Sequence, residues 1–140
     1  MIVFVQRFSF DDAVGDAERA EVLDAIRRTI SVESSVFSSL GPDLGDPAEG
    51  FTHAFVTALP DLDAVERYMR DPVHIAGDDF ILPRLARQSA VRFTDDPDPA
   101  LGERIYEIYR RRVDADPEWG RRVEALYAAG ATAAAQRTTS

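Results

Sequence analysis

The sequence predicts an α+β fold with four strands, followed by a helical extension. Segments rich in β-branched and aromatic residues alternate with segments of helical apolar spacing, in the order β-α-β-β-α-(α)-β over about the first 94 residues. This order is that of the split βαβ, or ferredoxin-like, domain. Beyond residue 96 the patterns are helical only. We therefore expect one domain over residues 1–96 and a C-terminal helical extension over residues 97–140.

The first half of the predicted domain contains two strands and a helix. Residues 2–10, IVFVQRFSF, are β-branched and aromatic and settle into alternation with polar residues, which is typical of a strand. Residues 17–32 predict a helix, with apolar side chains recurring at Val22, Leu23, Ile26 and Ile30. Residues 34–40 predict a weak second strand, and residues 41–50 form a loop rich in Gly, Pro and Asp.

The second half contains two helices between two strands. Residues 51–59, FTHAFVTAL, predict the third strand, and residues 88–93 predict the fourth. Between them, a short helix begins after Pro60 and Asp61 and ends at Asp71. A second helix begins there, because Asp71 is a favoured N-cap residue and Pro72 is favoured at the first helical position. Pro83 ends that helix near Leu82.

The extension predicts two helices, over residues 99–115 and 117–135, that pack on their own subunit or on a partner subunit. Its tail, from residue 131, lacks large apolar residues and is expected to fray. The arginine run 110–112 favours a solvated helix face, with binding of an anionic substrate tail as the alternative, and Trp119 favours a packing role.

Composition excludes several classes of function. The net charge of −9 argues against a nucleic-acid partner, because a phosphate backbone requires a basic surface. The absence of cysteine excludes disulfides and thiolate chemistry, and the absence of lysine excludes Schiff-base chemistry. No apolar run approaches the roughly 20 residues of a membrane helix, and residues 1–10 lack the pattern of a signal peptide. We therefore expect a soluble, cytoplasmic protein without a membrane partner.

Two of the predicted strands are apolar on both faces, which predicts a homodimer. Residues 2–10 and 51–59 place Val, Phe and Ala side chains on either side of the sheet. Helices cover one face of such a sheet, and the other face needs a second cover. Two sheets packed face to face would close into an α/β barrel and enclose pockets for a small-molecule ligand.

The candidate site consists of His74 and Tyr68. Proton removal from carbon needs a base with a near-neutral pKa, which histidine supplies, and a neutral phenol can stabilise the resulting enolate oxygen. Tyr68 ends one predicted helix and His74 opens the next, so the two side chains can converge. Asp78, four residues after His74, can orient the imidazole and raise its pKa.

The alternative interpretation is structural. Tyr68 is then an amphipathic core residue, His74 a polar residue at a helix start, and His53, the other histidine, a structural imidazole of the third strand. The two histidines lack HxxxH or HxH spacing, and no glycine-rich phosphate loop or flavin or haem signature is present. We therefore predict neither a metal site nor a cofactor.

Several motifs resemble the stress-responsive dimeric α/β-barrel (Dabb) family. The resemblance covers roughly residues 1–94 and rests on EGFTHAFV at 49–56, YMRDPVH at 68–74 and the later ILPRL and AVRF. The family's hallmark is a tyrosine, a proline and a histidine around the end of the second helix, which Tyr68, Pro72 and His74 match. Thr52–His53 matches a Thr-His pair found in the third strand of many members.

The resemblance implies a site and a function. The family includes stress proteins, a polyketide cyclase and a hydroxynitrile lyase, and in the cyclase a Tyr-His pair performs acid–base catalysis. It implies Tyr68 and His74 as catalytic residues and His53 as a pocket residue, and we expect Phe4 and Phe51 to contact substrate as well. The cyclase's first-strand histidine has no counterpart at residues 2–4. The implied function is a cofactor-independent cyclase or lyase for a small poly-β-carbonyl compound; the alternatives are a non-catalytic stress or ligand-binding dimer and a cofactor-free monooxygenase.

Overall fold

A four-stranded antiparallel sheet forms the centre of the molecule. In the computed structural model, which describes the backbone of residues 1–139 and the side chains of residues 1–132, the strands are β1 (Ile2–Phe10), β2 (Phe37–Pro42), β3 (His53–Leu59) and β4 (Leu85–Thr94). Their order across the sheet is β2-β3-β1-β4. The predicted ferredoxin-like α+β fold is therefore confirmed.

Five α-helices accompany the sheet: α1 (Asp16–Ile30), α2 (Leu62–Arg70), α3 (Pro72–Ile81), α4 (Leu101–Ala115) and α5 (Pro117–Thr139). Short 3₁₀ turns lie at Pro47–Glu49 and Leu82–Arg84. The predicted break between α2 and α3 is confirmed, since the Asp71 carboxylate accepts a hydrogen bond from the Val73 N–H at 2.9 Å. Among the described residues no helix is long and apolar enough to cross a membrane.

The structure begins three of the strands at other residues than the sequence predicts. The second strand begins at Phe37, not at residue 34, because residues 32–35 form a turn in which the Ser35 N–H donates to the Val32 carbonyl at 2.9 Å. The fourth strand begins at Leu85, which pairs with Phe10 of β1, three residues earlier than its alternation predicts. The third strand begins at His53, two residues later than predicted.

The two faces of the sheet have different environments. Even-numbered residues of β1 face the helices, and Phe8 and Phe10 pack there with residues of α1 and α5. On the opposite face, Val3 and Val5 lie beside Phe93 and Val91 of β4. Val91 is 60% exposed and Phe93 is 55% exposed. An apolar surface therefore remains open on the face away from the helices.

The C-terminal helices are part of the core. Trp119, Val123 and Leu126 of α5 join the buried cluster around Phe8, and Leu101, Ile105 and Ile108 of α4 join the cluster around Tyr68. The extension thus packs on its own chain. The predicted fraying concerns a tail that lies, from residue 133 onward, outside the residues whose side chains are described.

Helix α5 runs against β4, an edge strand of the sheet. Gly130 lies so close to this strand that a Cβ atom there would stand 2.3 Å from the Gln88 carbonyl oxygen. An exposed strand edge offers unpaired backbone groups to other chains, and proteins commonly cover it with a helix. Here α5 supplies that cover.

Candidate active site

A cavity of about 120 Å³ lies between the helix-covered face of the sheet and the helices. Its walls are mainly apolar and aromatic, and its polar lining groups include Gln6, Tyr68, His74, Asp78 and Gln88. The cavity lies on the side of the sheet away from the open apolar face. A concave, largely apolar site with a few convergent polar groups is the usual form of a small-molecule site.

The α2–α3 break brings Tyr68 and His74 together. Tyr68 lies in the last turn of α2, and His74 lies in the first turn of α3. Their ring centroids are 4.1 Å apart with the planes tilted by 33°. Both residues are buried, Tyr68 with 4% and His74 with 9% of its surface exposed. The pair predicted from local sequence therefore forms one compact unit in the cavity wall.

A hydrogen bond fixes the tautomer of His74. Its Nδ1 lies 2.9 Å from the backbone carbonyl oxygen of Tyr68. A carbonyl oxygen can only accept, so Nδ1 carries the hydrogen and donates it. In the neutral ring the lone pair then lies on Nε2. His74 is thereby prepared to accept a proton at Nε2.

Burial controls the protonation of His74. Removal from water lowers the pKa of the imidazole; the Asp78 carboxylate raises it to a smaller extent, and the Arg112 guanidinium lowers it. The prediction that Asp78 affects this pKa has the right sign, but the net shift is downward because burial has the larger effect. As the pH falls, the His74 ring therefore stays uncharged to a lower pH than the ring of an exposed histidine would.

Asp78 connects His74 to the C-terminal extension. One of its carboxylate oxygens, Oδ2, lies 3.5 Å from His74 Nε2. The same oxygen accepts hydrogen bonds from Arg112 Nη2 at 2.9 Å and from Trp119 Nε1 at 3.0 Å. Sequence analysis favoured a solvated face for the arginine run, with binding of an anionic substrate tail as the alternative. For Arg112 the solvated face is wrong, because only 10% of its side chain is exposed. Trp119 has the predicted packing role, but its hydrogen bond to Asp78 was not predicted.

Tyr68 supplies a neutral phenol. Burial raises its pKa far above the usual value for tyrosine, with a further upward effect of Asp78. The Phe4 ring packs edge-on against it, with centroids 6.3 Å apart. Among the side chains of residues 1–132, none forms a hydrogen bond with the Tyr68 hydroxyl group. That hydroxyl can therefore donate to an oxygen atom of a bound ligand.

The sheet adds an amide pair to the cavity. The side-chain amide of Gln6 on β1 donates to the side-chain carbonyl of Gln88 on β4, and Gln88 is buried. Sequence analysis did not predict this pair, because an isolated glutamine in a strand has no distinctive pattern. The amides place polar groups on a surface that is otherwise apolar.

Arg92 of β4 also lines the cavity, with its side chain partly in solvent and its guanidinium carbon 5.7 Å from the centre of the Phe4 ring. Tyr109 and Tyr127 of the extension line the same cavity. None of these three residues was predicted as a site residue. Arg92 gives the cavity a positive charge that reaches the solvent.

Of the five predicted site residues, Phe4, Tyr68 and His74 line this cavity. His53 does not: it stacks on Phe8 with centroids 5.7 Å apart, and its Nδ1 lies 2.9 Å from the Thr52 hydroxyl. Burial lowers the pKa of His53 as well. Phe51 lies outside the cavity too, beneath the guanidinium of Arg7 at 4.6 Å. Within the described residues, no three His, Asp or Glu side chains are grouped so as to hold a metal ion.

Comparison with known proteins places the domain. The family model of the Stress responsive A/B Barrel Domain matches residues 2–95. A dimeric ferredoxin-like protein of unknown function from Thermobifida fusca is 28% identical, with a TM-score of 0.59 over 66% of this chain and 89% of that one. No match was found among curated proteins.

Two plant proteins share the fold at lower identity. A protein from Arabidopsis thaliana is 20% identical, with a TM-score of 0.60 over 69% of this chain and 96% of its own. The hydroxynitrile lyase of Passiflora edulis is 13% identical, with a TM-score of 0.61 over 69% of this chain and 94% of its own. At these identities the likeness establishes the fold alone.

Proposed function

The chain belongs to the stress-responsive A/B barrel domain family, and from this premise we propose that it is a cofactor-independent cyclase or lyase. Its substrate would be a small poly-β-carbonyl compound or a related intermediate of specialised metabolism. The observation that carries the proposal is the buried His74. Its Nδ1 donates a hydrogen bond to the backbone, and its imidazole ring contacts the Tyr68 phenol ring. His74 is the general base and Tyr68 the hydrogen-bond donor.

The geometry supports an enolisation followed by formation of a carbon–carbon bond. His74 Nε2 accepts a proton from the carbon between two carbonyl groups, and the Tyr68 hydroxyl donates a hydrogen bond to the enolate oxygen. The enolate carbon attacks a third carbonyl group, farther along the same molecule, and the imidazolium returns its proton to the alkoxide that forms. Asp78, 3.5 Å from Nε2, stabilises the imidazolium during this interval.

The same two residues support cleavage in the reverse direction. If Nε2 takes the proton of a substrate hydroxyl group, the electron pair of the O–H bond forms a carbonyl and the adjacent carbon–carbon bond breaks. The leaving carbanion then takes the proton from the imidazolium or from solvent. Both directions require a neutral imidazole at the start, which the burial of His74 favours.

The cavity limits the size of the reacting group. Its volume of about 120 Å³ is slightly below that of an engineered cavity of about 150 Å³ that binds benzene. One six-membered ring, or the linear segment that closes into it, therefore fits beside Tyr68 and His74. A longer substrate would extend past Arg92 toward solvent.

A dimer belongs to the same proposal. The open face of the sheet carries exposed Val91 and Phe93, and the related Thermobifida fusca protein is described as dimeric. Pairing of two such faces would bury this apolar surface. Because the cavity lies on the other face, we propose two independent sites per homodimer.

A substrate panel tests the function. The panel contains linear triketide and tetraketide thioesters and aromatic and aliphatic cyanohydrins, and product formation is measured by mass spectrometry with wild-type protein, His74→Ala and Tyr68→Phe. We expect turnover of one substrate class and a loss of about 10²–10⁴-fold in each variant. His53→Gln is the matched control, since it removes the chain's other imidazole, which lies outside the cavity; its kcat and KM should stay near those of the wild type.

The panel also distinguishes catalysis from simple ligand binding. If compounds bind to the wild-type protein and to folded His74→Ala with equal affinity and none is converted, the cavity serves a ligand-binding dimer and the catalytic proposal is wrong.

A further inference from the structure

The residues around Asp78 join the family domain to the extension. Asp78 belongs to α3, Arg112 to α4 and Trp119 to α5. Only 15% of the Asp78 side chain and 10% of the Arg112 side chain are exposed. The Arg112 guanidinium also stacks on the Trp119 ring, 4.0 Å from its centre. The three side chains therefore hold one another in a single arrangement.

The arrangement converges on one atom. Arg112 Nη2 and Trp119 Nε1 both donate to Oδ2 of Asp78. The same oxygen lies 3.5 Å from His74 Nε2. Arginine frequently binds both oxygens of a carboxylate in a fork geometry. Arg112 binds one, and its Nη1 has no hydrogen-bond partner within the described part of the chain. The network fixes the oxygen that faces the proposed base.

We propose that Arg112 and Trp119 are positioning residues of the active site, which hold the Asp78 carboxylate beside His74 and so determine the charge state of the imidazole. Both residues lie beyond residue 95, where the family match ends. The extension is then part of the catalytic apparatus of this chain. The inference rests on the proposed role of His74 as the base, but its test does not require turnover.

The charges that face His74 explain why Arg112 is needed. Asp78 on α3 and Asp71 at the start of α3 favour the protonated ring, and so does the backbone carbonyl of Tyr68 on α2. On α4, Arg112 opposes protonation. Without Arg112, an unbalanced Asp78 carboxylate would form an ion pair with protonated His74, and Nε2 would no longer be free to accept a proton from substrate. Arg112 prevents that pairing.

Nuclear magnetic resonance of the two histidines tests this directly. The ¹⁵N shifts of each imidazole report its tautomer and charge, and His53→Gln assigns the two sets of signals because the chain has only two histidines. We compare Arg112→Gln, Arg112→Lys, Asp78→Asn and Trp119→Phe with the wild type from pH 4.5 to 8.5. At neutral pH, wild-type His74 should carry a hydrogen on Nδ1 and none on Nε2.

Each variant has an expected direction. Arg112→Gln should raise the titration midpoint of His74 by roughly one pH unit, and Arg112→Lys, which keeps the charge, should stay near the wild type. Trp119→Phe keeps an aromatic ring but loses a donor, so its midpoint should rise by less. Asp78→Asn should lower the midpoint, because the carboxylate that favours the imidazolium is gone. His53 should titrate alike in all four.

The opposite signs separate positioning from packing. A variant that merely admits water to the cavity would raise the His74 midpoint whichever residue was changed, because exposure favours the charged ring. A rise in Asp78→Asn equal to that in Arg112→Gln would therefore overturn the proposal, and so would an unchanged midpoint in Arg112→Gln. If Arg112→Gln does not fold, the unequal directions of Trp119→Phe and Asp78→Asn decide. Failure of the substrate panel would leave these midpoints unaffected and would concern the catalytic proposal alone.

Discussion

At the scale of single residues, the site depends on the short connection between α2 and α3. Asp71 ends α2, where its N–H donates to the Tyr68 carbonyl at 3.3 Å, and its carboxylate caps α3. The same Tyr68 carbonyl accepts the hydrogen of His74 Nδ1. One backbone oxygen therefore links the end of the first helix to the tautomer of the proposed base.

The lowered pKa of His74 predicts how stability depends on pH. In the unfolded chain the imidazole has its ordinary pKa of about 6.5, so as pH falls through that value the unfolded state binds a proton that the folded state does not. The stabilising contribution of neutral His74 is thus complete above pH ~6.5 and is lost progressively as pH falls toward its lower folded pKa.

Urea denaturation at several pH values measures this contribution. The free energy of unfolding of the wild type should fall between pH 7 and 5 more steeply than that of His74→Gln, which cannot titrate at this position. His53→Gln controls for the other imidazole, whose pKa is also lowered by burial. Equal slopes for the wild type and His74→Gln would contradict the described burial of His74.

Sequence reasoning succeeded where the interacting residues are close in the chain. Tyr68 and His74 are six residues apart, and the Asp-Pro signal between them predicts the break that brings them together. Arg112 and Trp119 lie 34 and 41 residues from Asp78. No local pattern specifies which face of a later helix will reach a given carboxylate, so the network could not be predicted.

Strand alternation left a different ambiguity. It shows that neighbouring residues of β3 face opposite sides of the sheet, but not how far along the strand the cavity extends. His53 pairs with Phe8 near the far end of β1, stacks on the Phe8 ring and meets the Phe10 ring edge-on. The cavity extends along this face of β1 from Phe4 only as far as Phe8, so His53 lies behind the Phe8 ring. The position of a side chain along the strand was therefore as decisive as the face on which it lies.

At the scale of secondary-structure elements, α5 lies in close contact with β4. Glycine at position 130 permits this contact. A Cβ atom there would lie 2.3 Å from the backbone carbonyl oxygen of Gln88, and the backbone of a paired strand cannot move aside without a loss of stability. The contact matters for the site as well, since the Gln88 side chain lines the cavity. Close packing of α5 thus supports both the sheet edge and the cavity wall.

Substitution of two helical glycines tests the close contact between α5 and β4. Gly130→Ala should destabilise the protein by about 1–3 kcal/mol, because the added methyl group forces α5 away from β4. Gly102→Ala in α4 is the matched control, since a Cβ there meets nothing within 4 Å. It should be neutral or stabilising by up to ~1 kcal/mol, because alanine is the better helix former. Thermal and urea denaturation measure both; a Gly130→Ala variant as stable as Gly102→Ala would show that α5 does not approach β4 so closely.

At the scale of the whole molecule, the two faces of the sheet have separate tasks. The helix-covered face encloses the cavity, and the open face presents Val3, Val5, Val91 and Phe93. Because the sheet lies between them, association through the open face leaves the cavity walls in place. We accordingly expect dimer formation to affect stability more than the geometry of the Tyr68–His74 pair.

Introduction of a negative charge into the open apolar face tests the dimer. Sedimentation equilibrium at micromolar concentration should give twice the chain mass of 15.5 kDa for the wild type. Phe93→Glu should shift the protein toward the monomer, since it buries a charge between two apolar sheets. Tyr106→Glu is the matched control, because Tyr106 is an equally exposed aromatic residue on α4, which packs on the other side of the sheet. A wild-type protein that sediments as a 15.5 kDa species would contradict the proposed homodimer.

The central claim is that neutral His74 is the base, and the pH dependence of kcat/KM tests it most directly. With the substrate that the panel identifies, kcat/KM of the wild type should rise with pH through the lowered pKa of His74 and be level around neutrality, because only the neutral imidazole accepts a proton. Tyr68→Phe should lower the level by about 10²–10⁴-fold and leave the rise in place, and His74→Ala should remove the rise together with most of the rate. A His74→Ala variant that is folded by circular dichroism and retains the wild-type profile would contradict the account.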